Sequence, residues 1–155
     1  MQIKCKKIAQ IVLLILIIST VASIFIQSTK SQKESTEDSD KVGEIIEEII
    51  PPETAVGGYV QDNIRKLAHF TEFFILGIEV SLYVALFLPS LKMMLLSYIF
   101  GILIASADET IQIFSGRGPA VKDVMIDFLG FVVSTVIIYT VSAVLRIIIQ
   151  KSKQK

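Results

Sequence analysis

The chain has 155 residues, 52% hydrophobic and 19% charged, and its 15 basic and 15 acidic side chains cancel to a formal net charge of zero. The charges fall in blocks between apolar runs that suit a bilayer, where a spanning helix needs about 20 consecutive apolar residues, and not a soluble domain. The single cysteine, Cys5, excludes an internal disulfide, and no metal-ligand cysteine pair, glycine-rich phosphate loop or dinucleotide fingerprint is present; no nucleic-acid partner is expected.

The first apolar run extends from Ile8 to about Ile26, behind Lys4, Lys6 and Lys7. It exceeds the roughly 7–15 residues of a signal-peptide core, and Ile24-Phe25-Ile26 follows any small-residue cleavage point, so it reads as an uncleaved anchor over residues 1–28. Residues 29–62 read as an exported acidic loop. From Thr29 to Glu53 it holds eight acids against three bases. Thr29–Asp40, without an apolar anchor, reads as a disordered tether. Val42, Ile45, Ile46, Ile49 and Ile50 then follow helical spacing until Pro51-Pro52, predicting a short amphipathic helix that covers the bundle or lies on the outer leaflet. Gly57-Gly58 reads as a flexible joint, and Asp62 as the N-cap of the second spanning helix.

Residues 63–150 carry three further spans: Leu67 to Pro89, Leu91 to about Ala107, and Val124 to Ile149. Pro89-Ser90 marks a tight turn between two of them. The fold class is therefore all-α, an integral membrane bundle of about four transmembrane helices. Lys4, Lys6, Lys7, Lys92, Arg146, Lys151, Lys153 and Lys155 then share one side, which the positive-inside rule makes cytoplasmic, placing both termini there. Arg65, Lys66, Arg117 and Lys122 fall on the outer side, against that rule, and need another explanation.

Arg65, His69, Glu72 and Glu79 form one stripe on the second spanning helix. Glu79 lies about 10 Å deeper than Glu72, so it should face the bundle or a wet cleft. Ala105, Asp108, Glu109 and Gln112 make a second stripe. The loop Phe114-Ser115-Gly116-Arg117-Gly118-Pro119 comes next, its glycines suited to unusual backbone angles. The fourth span opens with Lys122 and Asp123 and then shows a third stripe, Asp127, Gly130 and Ser134, with Gly130 small enough to admit a neighbouring helix closely. The stripes converge on a polar cluster of Arg65, Lys66, His69, Glu72, Asp108, Glu109, Gln112, Arg117, Asp123 and Asp127. Its carboxylates and histidine suit acid–base work or a divalent cation, and its cations suit a phosphate or carboxylate. The bland alternative is mutual pairing, Arg117 with Asp108 and Arg65 with Glu72, that locks the bundle. His69 by itself reads better as a satisfied bundle histidine than as a ligand, so no metal and no cofactor are assigned.

The segments R-K-L-A-H-F-T-E-F-F-I-L-G (Arg65 to Gly77) and D-E-T-I-Q-I-F-S-G-R-G-P-A-V-K-D-V-M-I-D-F-L-G (Asp108 to Gly130) resemble the VanZ-like family of small bacterial membrane proteins. The resemblance runs from about Arg65 onwards. It marks Lys66, His69, Glu72, Gly77, Asp108, Glu109, Gln112, Phe114, Arg117, Asp123 and Gly130. Asp127 stands where many relatives are expected to have asparagine, so it receives no role from the family. The resemblance implies a multi-pass protein of the bacterial cell membrane. It also implies an envelope role of the kind that links the founding member to low-level tolerance of the glycopeptide teicoplanin.

Three functions fit: binding of an outer-leaflet lipid-linked precursor or lipoglycopeptide, intramembrane chemistry on a lipid-linked phosphate, or a small proton-coupled carrier using Glu79, which would call for a homo-oligomer. The site has no cysteine, and Ser115 has no evident base. Without a recognisable nucleophile–base pair the reading leans away from an enzyme, and the catalytic residues stay unassigned.

Overall fold

The computed structural model describes residues 2–117 and 121–152. It contains five helices in chain order: α1 (Gln2–Ser28), α2 (Gln32–Glu47), α3 (Ala55–Phe87), α4 (Leu91–Phe114) and α5 (Val121–Ser152). Four of them, all but α2, are long and apolar enough to cross a membrane. Gly118, Pro119, Lys153 and Lys155, which entered the sequence reading, lie outside the described residues.

The helices outrun the apolar spans because hydropathy stops at the first charge while the helical hydrogen bonds continue. Thus α3 starts at Ala55, α4 reaches Phe114 and α5 starts at Val121. Leu88 and Pro89 break the chain, and Ser90 opens α4 as its N-cap by accepting the Met93 amide. α1 and α4 run toward the α2 end of the bundle, and α3 and α5 run away from it. The beginning of α1 and the latter part of α5 therefore share the end that holds the Pro89 turn. Gln10 donates to the Tyr83 hydroxyl there, and Arg146 reaches the Ala85 carbonyl.

α3 and α5 form the main interface, and glycine makes it possible. A Cβ at Gly77 would lie 2.1 Å from Ser134 Oγ and 2.7 Å from the Phe131 carbonyl oxygen; one at Gly130 would lie 2.3 Å from the Phe70 carbonyl oxygen. The backbones approach more closely than any side chain permits, as small residues allow in membrane helices. Phe131, fully buried, fills the space opposite Gly101 of α4. Ile24, Phe73, Leu76, Val80 and Ala105 complete that core, while the remaining apolar side chains largely point outward.

Two expectations are corrected at the α2 end. The predicted tether is helical: α2 spans Gln32–Glu47. A capping box starts it, with Ser31 Oγ accepting the Glu34 amide and the Glu34 carboxylate accepting the Ser31 amide at 2.8 Å. Lys33–Glu37 and Lys41–Asp38 pairs support it one turn apart, at 3.8 and 3.6 Å. Its anchor is a glycine, invisible to a hydropathy count: Gly43 is buried, and Gln61 Nε2 donates to its carbonyl at 3.1 Å. The helix ends before Ile49, shorter at its C-terminal side than the pattern suggested.

Similarly, Gly57-Gly58 is no joint and Asp62 no cap. Both glycines sit in the first turn of α3, where Thr54 is the N-cap and its Oγ1 accepts the Gly57 amide at 2.9 Å. A Cβ on Gly57 would strike the Pro51 carbonyl oxygen at 2.1 Å, so this glycine serves close packing.

Candidate functional site

Beneath α2 lies a cleft of about 370 Å³. Its lining comprises Ile24, Gln27 and Ser28 of α1, Lys30 of the linker, Ser35, Asp38, Ser39, Lys41 and Val42 of α2, Ile64, Arg65, Ala68, His69 and Glu72 of α3, Asp108 of α4 and Arg117. The three polar stripes do converge, but each expected residue finds its own place.

Asp108, Gln112 and Asp127 are essentially fully buried. His69 Nδ1 lies 3.3 Å from Asp127 Oδ1 and 3.6 Å from Asp108 Oδ2. Helical spacing explains the meeting, since His69 stands one turn from Arg65 and Asp108 one turn from Gln112 on facing stripes. Asp108 is held from two sides: Ser28 donates to Oδ1, and Gln112 Nε2 donates to Oδ2 at 2.9 Å. Asp127 is not held: neither of its oxygens, nor His69 Nδ1, is in a well-formed hydrogen bond.

Arg117 reaches the cleft through the end of α4. Gly116 adopts φ +80°, the Gly116 amide bonds the Ile113 carbonyl at 3.2 Å, and the Arg117 amide bonds the Gln112 carbonyl at 3.1 Å. This is the paired closure of a Schellman turn, and it sends the chain back over the last helical turn. Arg117 is only 6% exposed, because its guanidinium lies inside. One of its terminal nitrogens donates to Gln112 Oε1 at 3.3 Å and the other to the Gln27 carbonyl at 3.2 Å. Burial draws this guanidinium below its ordinary range, and the neighbouring Arg65 charge adds to the effect.

Arg65 donates to the same Gln112 Oε1 at 3.1 Å and to Gln32 Oε1 at 3.4 Å. Two guanidiniums thus share one neutral oxygen. The alternative pairings, Arg117 with Asp108 and Arg65 with Glu72, are not made among the described residues; the lysine–carboxylate pairs there are Lys30–Asp38, Lys33–Glu37 and Lys41–Asp38, and His69 stands beside Asp108 and Asp127. Gln112, long enough to serve both arginines and Asp108, takes the place of a carboxylate.

Other expected residues stand apart. Lys66 is exposed and donates to Asn63 Oδ1 at 3.0 Å, and Lys122 is exposed. Asp123 is half-buried in the first turn of α5, and Glu109 is buried on α4 with its charge acting on Arg117; neither lines the cleft. Glu79 lies deeper still, where its Oε1 accepts the Thr20 hydroxyl at 3.0 Å, joining α3 to α1.

The sequence reading missed what α1 and α2 contribute: Ser28, the Gln27 carbonyl, Lys30 and Asp38. A signal was present. Gln10, Ile17, Val21, Ile24 and Ser28 recur at intervals of seven, four, three and four, one helical stripe with polar residues at its two ends.

A second hollow, of about 360 Å³, lies between α2 and α3 and is lined by Val42, Ile46, Val60, Ile64, Leu67, Ala68, Thr71 and Glu72. It is mostly apolar and shares Val42, Ile64, Ala68 and Glu72 with the charged cleft.

A family model described as VanZ/LLP1 matches residues 11–146, which extends the resemblance back across most of α1 and all of α2. No curated protein and no solved structure matches the chain.

Proposed function

The chain belongs to the VanZ/LLP1 family and is a multi-pass membrane protein of that type, and we propose that its cleft captures the phosphate-bearing head group of a lipid-linked ligand from the outer leaflet of a bacterial membrane. One observation carries the reading. Arg65 and Arg117, held side by side on Gln112 Oε1 and in no salt bridge among the described residues, present two guanidiniums to one cleft, the arrangement a phosphate or carboxylate takes up with paired hydrogen bonds. The apolar hollow continuous with the cleft suits the tail of the same molecule, which would leave between α2 and α3. In this orientation both arginines lie outside against the positive-inside rule, and ligand binding is the reason. A lipoglycopeptide offers the same union of tail and polar head, which connects the cleft with teicoplanin tolerance.

The reading is tested in cells. With equal membrane levels verified, Arg65→Ala and Arg117→Ala lower teicoplanin tolerance, while Lys66→Ala, whose side chain lies outside the cleft, does not. Unchanged susceptibility in both arginine variants removes the link to the drug.

A second reading rests on His69. With Nδ1 facing Asp127 and Asp108, its Nε2 is left for proton transfer, the base-and-orienter arrangement of many hydrolases. The protein would then cleave the head group that it binds. Purified protein should release phosphate or a new lipid species from undecaprenyl-linked substrates, and His69→Ala should stop it; if the unmodified protein produces no new species, the chemical reading fails and capture stands alone.

A further inference from the structure

We infer that His69, Asp108 and Asp127 together form a site for one divalent metal ion. The inference is independent of the ligand proposed for the cleft, because the metal alone tests it. One ligand atom from each residue lies within 4.8 Å of the other two. The His69 Nδ1 distance of 3.3 Å to Asp127 equals an edge of a coordination shell, and the 3.6 Å to Asp108 exceeds one by a few tenths of an ångström. Donors about 2.1 Å from one ion stand roughly 3.0–3.4 Å apart.

Asp127 supplies the independent observation. Its carboxylate is 0% exposed, and neither oxygen is hydrogen-bonded. A buried carboxylate whose nearest donor, His69 Nδ1 at 3.3 Å, makes no well-formed hydrogen bond to it is costly, and a second one faces the same histidine. Two carboxylates neutralise a divalent ion, and a neutral imidazole completes the set without adding charge. His69 Nδ1, buried and without a hydrogen bond of good geometry, points to these carboxylates.

The shell behind the ligands is also built. Ser28 and Gln112 each donate to a different oxygen of Asp108, as partners of metal ligands do to fix their orientation. An imidazole with two carboxylates favours Mn²⁺ or Zn²⁺ over Ca²⁺ or Mg²⁺, which take oxygen ligands. With Nδ1 on the metal, Nε2 keeps the ring proton. His69 is then a ligand and not a general base, so metal binding and the hydrolytic reading make opposite demands on one imidazole.

The test uses the full chain without a histidine tag, stripped of metal by chelation and reconstituted in nanodiscs. Mn²⁺ is titrated by electron paramagnetic resonance. We expect one tightly held Mn²⁺ per chain, with ¹⁴N modulation of its signal. The chain has a single histidine, so that modulation identifies His69. Asp127→Asn should weaken binding at least about tenfold, a change on the scale of perturbing a metal site. His69→Ala should remove the ¹⁴N signal, while Glu79→Gln, remote from the site, leaves both intact. Should His69→Ala not fold, the near-isosteric Asp127→Asn decides. Bound Mn²⁺ without ¹⁴N modulation, wild-type affinity in Asp127→Asn, or no uptake of either Mn²⁺ or Zn²⁺ overturns the inference. Each of these results leaves anion capture by Arg65 and Arg117 untouched.

Discussion

Ser28, the last residue of α1, donates its hydroxyl to the Asp108 carboxylate of α4, eighty positions further along the chain. The contact makes the first helix a wall of the cleft. α1 could be taken for a simple anchor, since it has only two buried residues, Ile24 and Ser28, among those described. One of these two secures the most constrained carboxylate of the site.

Ser28→Ala should therefore destabilise the protein by about 1–2 kcal/mol, the cost of leaving a buried acceptor unsatisfied. Thermal unfolding in detergent reads this, with the exposed Ser23→Ala as reference. Equal stability of the two variants would show that the Ser28–Asp108 contact does not tie α1 to the site.

The glycines of the α3–α5 interface should respond by position. Gly77→Ala drives a Cβ into backbone and should cost about 1–3 kcal/mol through forced separation of the helices. Gly58→Ala meets only the Pro52 carbonyl oxygen, at 3.4 Å, and should be neutral or gain up to about 1 kcal/mol of helix propensity. Melting temperatures of the two variants that shift in the same direction would contradict the close crossing.

Gly116→Ala isolates conformation from crowding, because nothing lies within 4 Å of the added Cβ. At φ +80° it should cost about 1–2 kcal/mol and loosen the turn that delivers Arg117. Gly116→Asn, better suited to that region, should recover much of the loss. An alanine variant with wild-type stability would refute the role of the turn.

Acid should loosen α2. The Ser31 hydroxyl and amide hold the Glu34 carboxyl below its ordinary value of 4.5, and Lys30, 2.6 Å away, does the same for Asp38. Both carboxylates have lowered folded values, so their stabilisation is fully present above about pH 4.5 and is lost as pH falls through those values. A spin label at the exposed Asp40 should become mobile in that window. The double variant Glu34→Gln, Asp38→Asn should lose this dependence on pH; an unaltered acid transition would locate the sensitive groups elsewhere.

Much of this architecture was legible from residues alone. Spans announce themselves by hydropathy, and charges such as His69, Asp108 and Asp127 are too costly in lipid to be scattered, so helical spacing sufficed to bring them together. α2 was hidden because composition argued for disorder while its stability comes from a capping box and a buried glycine, neither of which adds hydrophobicity. The arginines were traceable only to the site and not to their partners. Pairing by charge offered Asp108 and Glu72, whereas the reach of Gln112 determined the outcome. Lys66 illustrates the reverse: adjacent to Arg65 in sequence, it is turned about 100° around the helix and leaves the cleft.

The most direct measurement is of affinity for undecaprenyl phosphate in nanodiscs, by native mass spectrometry, for the unmodified protein, Arg65→Ala, Arg117→Ala and Lys66→Ala. Saturable binding is expected, weakened at least about tenfold by loss of either charge-assisted pair, near 1.4 kcal/mol or more, and unaffected by Lys66→Ala. Binding that is absent in the unmodified protein, or equal in all four, would contradict a cleft built around two arginines to hold a lipid-linked anion.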